Sequence, residues 1–224
     1  VVSAPFLFDS LDEVDAAFAR EGGKMLDELL LEKNVVALGY GENGFRQITN
    51  NEGPIESPED LKGMKMRIPG IKMYTDLFRA YGSDPATMTW SEVFTALQQG
   101  TIDGQENPID VIYSSKIDEV QDYLTLWNYS YDPLVLGINK KLFDSMSEED
   151  QELFKRLGKE AAAYQIQLNR ERAAEQLEEL KAKGMQVNEL TEEQLQVFKD
   201  ASQPIYDQYK TIWGEDFLKA FQGE

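Results

Sequence analysis

The sequence predicts an α/β protein with mixed sheets, in which a long helix follows a run of short alternating elements. Between Phe45 and Trp127, brief apolar stretches alternate with amphipathic ones and are separated by turn residues, the pattern of an α/β unit with mixed strand pairing. After Ser147, apolar residues recur at three- and four-residue spacing through Phe154, Leu157, Ala161, Tyr164 and Leu168, and again through Ala173, Leu177 and Leu180. The step between the two sets breaks the register, which argues against a sustained coiled coil and leaves a long amphipathic helix ending at Gly184. Finally, Gly39-Tyr-Gly41-Glu-Asn-Gly44 is dense in glycine, which suits a crossing from one part of the chain to another. Its spacing matches neither a Walker loop nor a dinucleotide fingerprint.

In chain order, Ser10 to Lys33 reads as helical with a weak point at Gly22-Gly23, and Val35 to Tyr40 as an apolar strand. Ser57 caps a short turn with Pro58 at its first position, and Gly63 ends it. Met64 to Ile68 then reads as a strand stopped by Pro69, with Arg67 at its end. Pro85 to Met88 is strand-like, and Thr89 with Glu92 forms a capping box that opens a helix over Ser91 to Gln99, placing Trp90 at the helix mouth. Ile102 to Gln105 is extended, and Asn107 before Pro108 is biased towards the geometry of an N-cap. Tyr123 to Trp127 and Pro133 to Asn139 read as strands flanking the aromatic turn 128–132. Ser147 with Asp150 caps the long helix, Thr191 with Gln194 opens another that Pro204 kinks, and Trp213 to Phe221 closes the chain.

Three of these segments put one distinctive side chain where a strand gives way to a turn or helix start, which is where small ligands sit in open α/β sheets. Arg67 offers a planar fork of donors suited to a carboxylate, and it could equally pair with one of the chain's own 41 acidic residues. Asn107 could cap, bind, or do both, and Trp90 could be a core aromatic. Tyr129 and Tyr131 fit either a cleft or, with better support, core or turn packing.

Composition excludes several classes. With no cysteine and no histidine, the chain has no disulfide, thiolate site, imidazole catalysis or histidine-ligated metal. The net charge of −19 argues against nucleic acid as a partner. It does not exclude an anionic ligand, because screening acts over roughly 8 Å at physiological salt and local arginines decide what a cleft binds. The acidic excess is expected on solvated helix faces such as Glu148-Glu149-Asp150 and Glu178-Glu179. Leu29-Leu30-Leu31 and Leu134 to Ile138 fall far short of the roughly 20 residues of a spanning helix, so no direct membrane insertion is expected.

Four runs in order, Gly44-Phe-Arg46-Gln-Ile-Thr-Asn50, Leu61-Lys-Gly-Met-Lys-Met-Arg67-Ile-Pro69, Ser91-Glu-Val-Phe-Thr-Ala-Leu-Gln98 and Asp103-Gly-Gln-Glu-Asn107-Pro108, resemble the solute-binding proteins of TRAP transporters, the DctP-type periplasmic receptors for organic acids. The resemblance runs from Pro5-Phe-Leu-Phe8 to near the C-terminus. It implies a periplasmic-binding-protein-like fold of two lobes joined by a hinge, with the long helix spanning both. The expected division is residues 1–43 as the remainder of lobe I, 44–127 as lobe II, which binds the ligand carboxylate, 128–146 as a return crossing with a lobe I strand, and 147–224 as the long helix and C-terminal helices.

The same resemblance implies that Arg67 makes the main salt bridge to a ligand carboxylate and that Asn107 hydrogen-bonds the same group. Arg46 matches a second arginine that reaches the ligand in some members, and Trp90 takes the place of an aromatic that packs on it; Tyr131 is a candidate contact only from its place in the aromatic turn, not from the resemblance. Gly70 departs from members that carry a polar residue there. A complete receptor of this kind has a βαβ region before the Pro-Phe-Leu-Phe segment, and most of the N-terminal half of lobe I is expected to be missing here. The implied function is capture of a carboxylate-bearing solute in an interlobe cleft and delivery to a TRAP permease, by a periplasmic monomer with no catalytic residues, cofactor or metal. Two other classes stay open at this point: an enzyme on an organic acid with Glu92 or Glu106 as acid or base, and a helical interaction module over 147–222.

Overall fold

The four residues Gln47–Asn50 are all buried, which places them in the middle of a sheet with both faces covered. In the computed structural model, which describes residues 1–222, the strands in chain order are β1 Val35–Phe45, β2 Gln47–Asn50, β3 Met66–Ile68, β4 Ala86–Thr87, β5 Gly104–Asn107, β6 Tyr123–Leu126, β7 Tyr131–Asn139 and β8 Gln186–Glu189. The helices are α1 Leu11–Ala19, α2 Glu21–Glu32, α3 Lys72–Ala80, α4 Trp90–Gln98, α5 Ile109–Ser114, α6 Lys140–Asp144, α7 Glu148–Ala182, α8 Glu192–Trp213 and α9 Glu215–Gln222.

The chain forms two compact units. One comprises Val1–Gly44, Ser130–Arg172 and the residues from Trp213 onward; the other comprises Phe45–Tyr129 and Ala173–Ile212. Helix α7 contributes residues to both.

The second unit contains a six-stranded sheet in the order β4-β3-β5-β2-β6-β8. β2 is antiparallel to β5 and β6, whereas β3 is parallel to β4 and β5, and β6 is parallel to β8. The mixed pairing expected from the alternation of elements is therefore present. Val93, Leu97, Ile102, Ile109, Ile112, Ile117, Leu124, Leu180 and Met185 form one core of this unit. A second core is aromatic: Trp127 stacks at 4.5 Å from Tyr129 and lies edge-on to Phe78 and Phe198. Burying rings of this size, each worth a few kcal/mol, anchors α3 and α8 in this unit.

The first unit contains the two-stranded β1–β7 sheet, the first part of α7 and an aromatic cluster of Phe8, Phe18, Tyr131, Phe217 and Phe221. The glycine-dense segment predicted as a crossing is strand throughout and ends where the chain passes from one unit to the other, after Gly44, while Gly39 and Gly41 serve packing. A Cβ on Gly39 would lie 2.7 Å from the Gly158 carbonyl oxygen, and one on Gly158 would lie 2.6 Å from Leu38 Cβ. β1 and α7 thus meet backbone to backbone. Glycine inside a helix is ordinarily about 1 kcal/mol worse than alanine. Here the sign reverses: Gly158→Ala is expected to destabilise the protein by about 1–3 kcal/mol through overpacking, read as a lower midpoint in thermal denaturation.

Other expectations need correction. The predicted helix over 10–33 breaks at Arg20, which is extended, two residues before the glycines. Gly22 and Gly23 instead begin α2 where it folds tightly onto the end of α1, since a Cβ on Gly23 would sit 2.1 Å from the Phe18 carbonyl oxygen. β3 is shorter than predicted and Arg67 is its middle residue. Asn107 does not cap a helix: it is the last residue of β5, and Pro108 takes the cap position of α5. The capping boxes at Thr89–Glu92 and the Ser147–Asp150 cap form as expected, and Glu148–Asp150 and Glu178–Glu179 are solvent-exposed.

Candidate functional site

Four of the five candidate residues belong to the six-stranded sheet or its flanks. The register aligns Arg67 of β3 with Gln105 of β5, and Gln47 of β2 with Asn107 of β5, so Arg67, Asn107 and the residue preceding β2, Arg46, converge on adjacent strands. Trp90 opens α4 directly after β4. Such convergence at strand ends beside a helix start is the usual setting for a small-molecule site in an α/β sheet.

Arg67 is 5% exposed. Its Nε and Nη2 both donate to the Met88 carbonyl oxygen, at 3.3 and 3.0 Å, and its guanidinium lies 5.2 Å from the centre of the Trp90 ring. No carboxylate pairs with it among the described residues, and its Nη1 donates no hydrogen bond there. Burial pushes its pKa down; Glu106 opposes that and Arg46 adds to it. A guanidinium nonetheless remains protonated at neutral pH, so the residue is a desolvated positive charge. The Met88 carbonyl occupies the Nε side of the fork, which leaves the Nη1–Nη2 end open for bidentate contact.

Arg46 is in a different situation. It forms a buried ion pair with Glu106 through Nε, its Nη2 donates at 3.0 Å to Glu106 Oε1 and at 2.8 Å to the Glu106 carbonyl oxygen, and the Tyr129 hydroxyl donates to Glu106 Oε2 at 2.6 Å. Burial alone would lower the Arg46 pKa, but the Glu106 carboxylate overrides it and the net shift is upward. Burial and then Glu106 push the Tyr129 hydroxyl well above its ordinary range. Two arginines and one glutamate therefore leave one uncompensated positive charge, and it resides on Arg67.

Asn107 accepts from Arg46 Nη2 at 3.0 Å and donates to Gln105 Oε1 at 2.7 Å. Tyr131 belongs to the other unit, where it is the first residue of β7, packs against Phe8 and Phe18, and donates to Glu42 at 3.2 Å. Glu42 is also held by Arg170 at 2.7 Å, which in turn pairs with Asp15 at 2.7 Å. The structure thus gives Tyr131 the core packing that its composition favoured. Sequence reasoning missed the structural work of Glu106, Tyr129, Gln105 and the Met88 carbonyl. No sequence signal pointed to them, since the burial of both arginines and the pairing of Arg46 with Glu106 are set by the register of strands distant in sequence.

The acid–base alternative loses both its candidates, since Glu106 is committed to Arg46 and Tyr129, and Glu92 to the Thr89 cap. Among the described residues no cluster of acidic side chains could hold a metal ion, and no helix is long and apolar enough to cross a membrane.

The chain is similar to known proteins over most of its length. The sequence model of DctP, bacterial extracellular solute-binding protein family 7, matches residues 1–212. The chain is 35% identical to the 2,3-diketo-L-gulonate-binding periplasmic protein YiaO of Escherichia coli K12, over 98% of this chain and 67% of YiaO. It is 38% identical to a solute-binding protein of Verminephrobacter eiseniae, over 98% of this chain and 65% of that protein. The chain thus spans about two thirds of the length of these relatives. Its fold superposes with a TM-score of 0.94 on a TRAP periplasmic solute-binding protein of Ralstonia eutropha H16 crystallised with (S)-2-acetolactate, at 35% identity over 98% of this chain and 71% of that one.

Proposed function

This chain belongs to DctP, family 7 of the bacterial extracellular solute-binding proteins, and on that premise we propose that it captures a small carboxylate-bearing organic acid and hands it to a TRAP-type permease. The observation that carries this reading is Arg67, a buried guanidinium with an open fork and no counter-ion among the described residues. Removing such a charge from water costs several kcal/mol unless an anion joins it. A ligand carboxylate is that anion.

In this reading Arg67 forms the bidentate salt bridge, Asn107 donates a further hydrogen bond, and Trp90 supports both the guanidinium and the ligand's carbon skeleton. Arg46 acts through Asn107 and Glu106. The unit with the six-stranded sheet is the carboxylate-binding lobe. The protein works in the periplasm as a monomer, without a cofactor. YiaO and the Ralstonia protein are associated with 2,3-diketo-L-gulonate and acetolactate, both carboxylates with oxygen on the neighbouring carbons, and acids of this type are the first to try.

A thermal-shift screen tests the proposal. Acetolactate, sugar acids, keto acids and C4-dicarboxylates would be compared with uncharged analogues. A bound acid at about a thousand times its Kd should stabilise the folded state by roughly 4 kcal/mol, an upward shift of several degrees. Stabilisation by sugars or amides but by no acid would refute the reading.

A further inference from the structure

We infer that a buried relay of uncharged side chains, Gln121, Thr49 and Gln105, locks the Asn107 amide with its nitrogen as a donor, so that the site distinguishes a carboxylate from its carboxamide. The inference rests on the receptor reading above and adds three positioning residues to it.

The relay is continuous and runs in one direction. Arg46 Nη2 donates to Asn107 Oδ1 at 3.0 Å, Asn107 Nδ2 to Gln105 Oε1 at 2.7 Å, Gln105 Nε2 to Thr49 Oγ1 at 3.0 Å, and Thr49 Oγ1 to Gln121 Oε1 at 3.1 Å. Gln121 Nε2 then donates to the carbonyl oxygens of Asp103 and Val120, at 3.3 and 3.2 Å. Both ends are chemically fixed, since a guanidinium only donates and a carbonyl oxygen only accepts. Turning over any amide between them would set donor against donor or acceptor against acceptor. Water is poorly placed to relieve such a mismatch, because Gln105 and Thr49 are 0% exposed, Gln121 1% and Asn107 6%.

Strand geometry assembles this chain. Gln105 and Asn107 are two residues apart on β5 and share a face, and Thr49 of β2 is the cross-strand partner of Gln105. One hydrogen of Asn107 Nδ2 is used by Gln105, and no acceptor claims the other among the described residues. Together with the open fork of Arg67, this gives a site made of donors. A carboxylate presents only acceptors and satisfies it; a carboxamide of the same shape presents its own N–H groups to donors. The relay therefore supplies a rejection element as well as an attractive one.

The test uses the full-length protein and the acid from the thermal-shift panel that stabilises it most, together with that acid's carboxamide, measured by calorimetry. Thr49→Val removes the hydroxyl at nearly constant shape. It should weaken acid binding by about tenfold, the loss of roughly one hydrogen bond to a charged group, and narrow the acid-to-carboxamide ratio by a similar factor. Thr49→Ser, which restores the hydroxyl, should recover both. If Thr49→Val does not fold, Gln105→Met breaks the next link and is read in the same way. An unchanged ratio in a natively melting variant overturns the relay while leaving the receptor reading intact, provided Arg67→Ala still abolishes binding. Failure of every acid to bind the wild-type protein overturns both. In the wild type, the Asn107 side-chain amide resonances should shift on addition of the acid; if they do not move, the assigned donor role is wrong.

Discussion

Replacing Arg67 with alanine is expected to abolish organic-acid binding while leaving the unliganded protein as stable as before, or slightly more so. The two halves of this expectation have one cause. In the unliganded protein the guanidinium is desolvated with no carboxylate paired to it among the described residues, so deleting it removes an electrostatic penalty, offset by lost packing against Trp90 and lost hydrogen bonds to the Met88 carbonyl. In the complex its deletion leaves the ligand carboxylate unpaired in the same environment, at about 3–5 kcal/mol, or roughly 200- to 5,000-fold in Kd. Arg67→Lys should retain part of the affinity, because it keeps the charge and loses the fork. Calorimetry and thermal denaturation check both halves. A large drop in the unliganded midpoint would mean that Arg67 has a partner inside the protein, and unchanged affinity would remove it from the site.

Glu106→Gln is expected to do the opposite to stability. It preserves shape but leaves Arg46 without its carboxylate, in a position 5% exposed to solvent, beside a second uncompensated arginine. Breaking a buried pair from one side costs about 3–5 kcal/mol, which in a protein of this size corresponds to a fall on the order of 10 °C in Tm. The Tyr129 hydroxyl, which donates to the same carboxylate, can keep an amide oxygen as acceptor, while the amide nitrogen then faces Arg46 Nη2, so the charge is lost together with one acceptor. The contrast is the informative result: two arginines on either side of β5, one whose removal is tolerated and one whose counter-ion is indispensable. Equal effects from Glu106→Gln and Arg67→Ala on the unliganded protein would contradict the charge assignment made here.

Much of the frame was legible without coordinates because its signals are local. Capping boxes, proline stops and amphipathic spacing depend on residues within one or two turns, and they predicted α4, the start and end of α7 and the C-terminal end of β3 before Pro69. The elements that were missed or displaced are those set by partners distant in sequence. β8 is four residues with little apolar character, defined by its pairing with β6 some sixty residues earlier. The break at Arg20 and the continuation of β1 past Tyr40 go with close approaches, of Gly23 to the Phe18 carbonyl and of Gly41 to the Gln165 side chain, that no local pattern encodes. Asn107 illustrates the limit: a residue preceding proline favours extended geometry, and the same preference serves a helix cap or a strand end equally well.

The sequence by itself determined that this is an α/β chain without cysteine or histidine, with a charge that argues against nucleic acid, and that Arg67, Trp90 and Asn107 lie in runs that follow the order of a carboxylate-binding family. Only the tertiary structure decided which arginine is free. Arg46 and Arg67 are equivalent as side chains, and what separates them is that β2 and β5 place Glu106 against the first and not the second. Charge compensation is a property of three-dimensional neighbours at a few ångströms in a medium of low polarity, and a linear string holds no record of those distances.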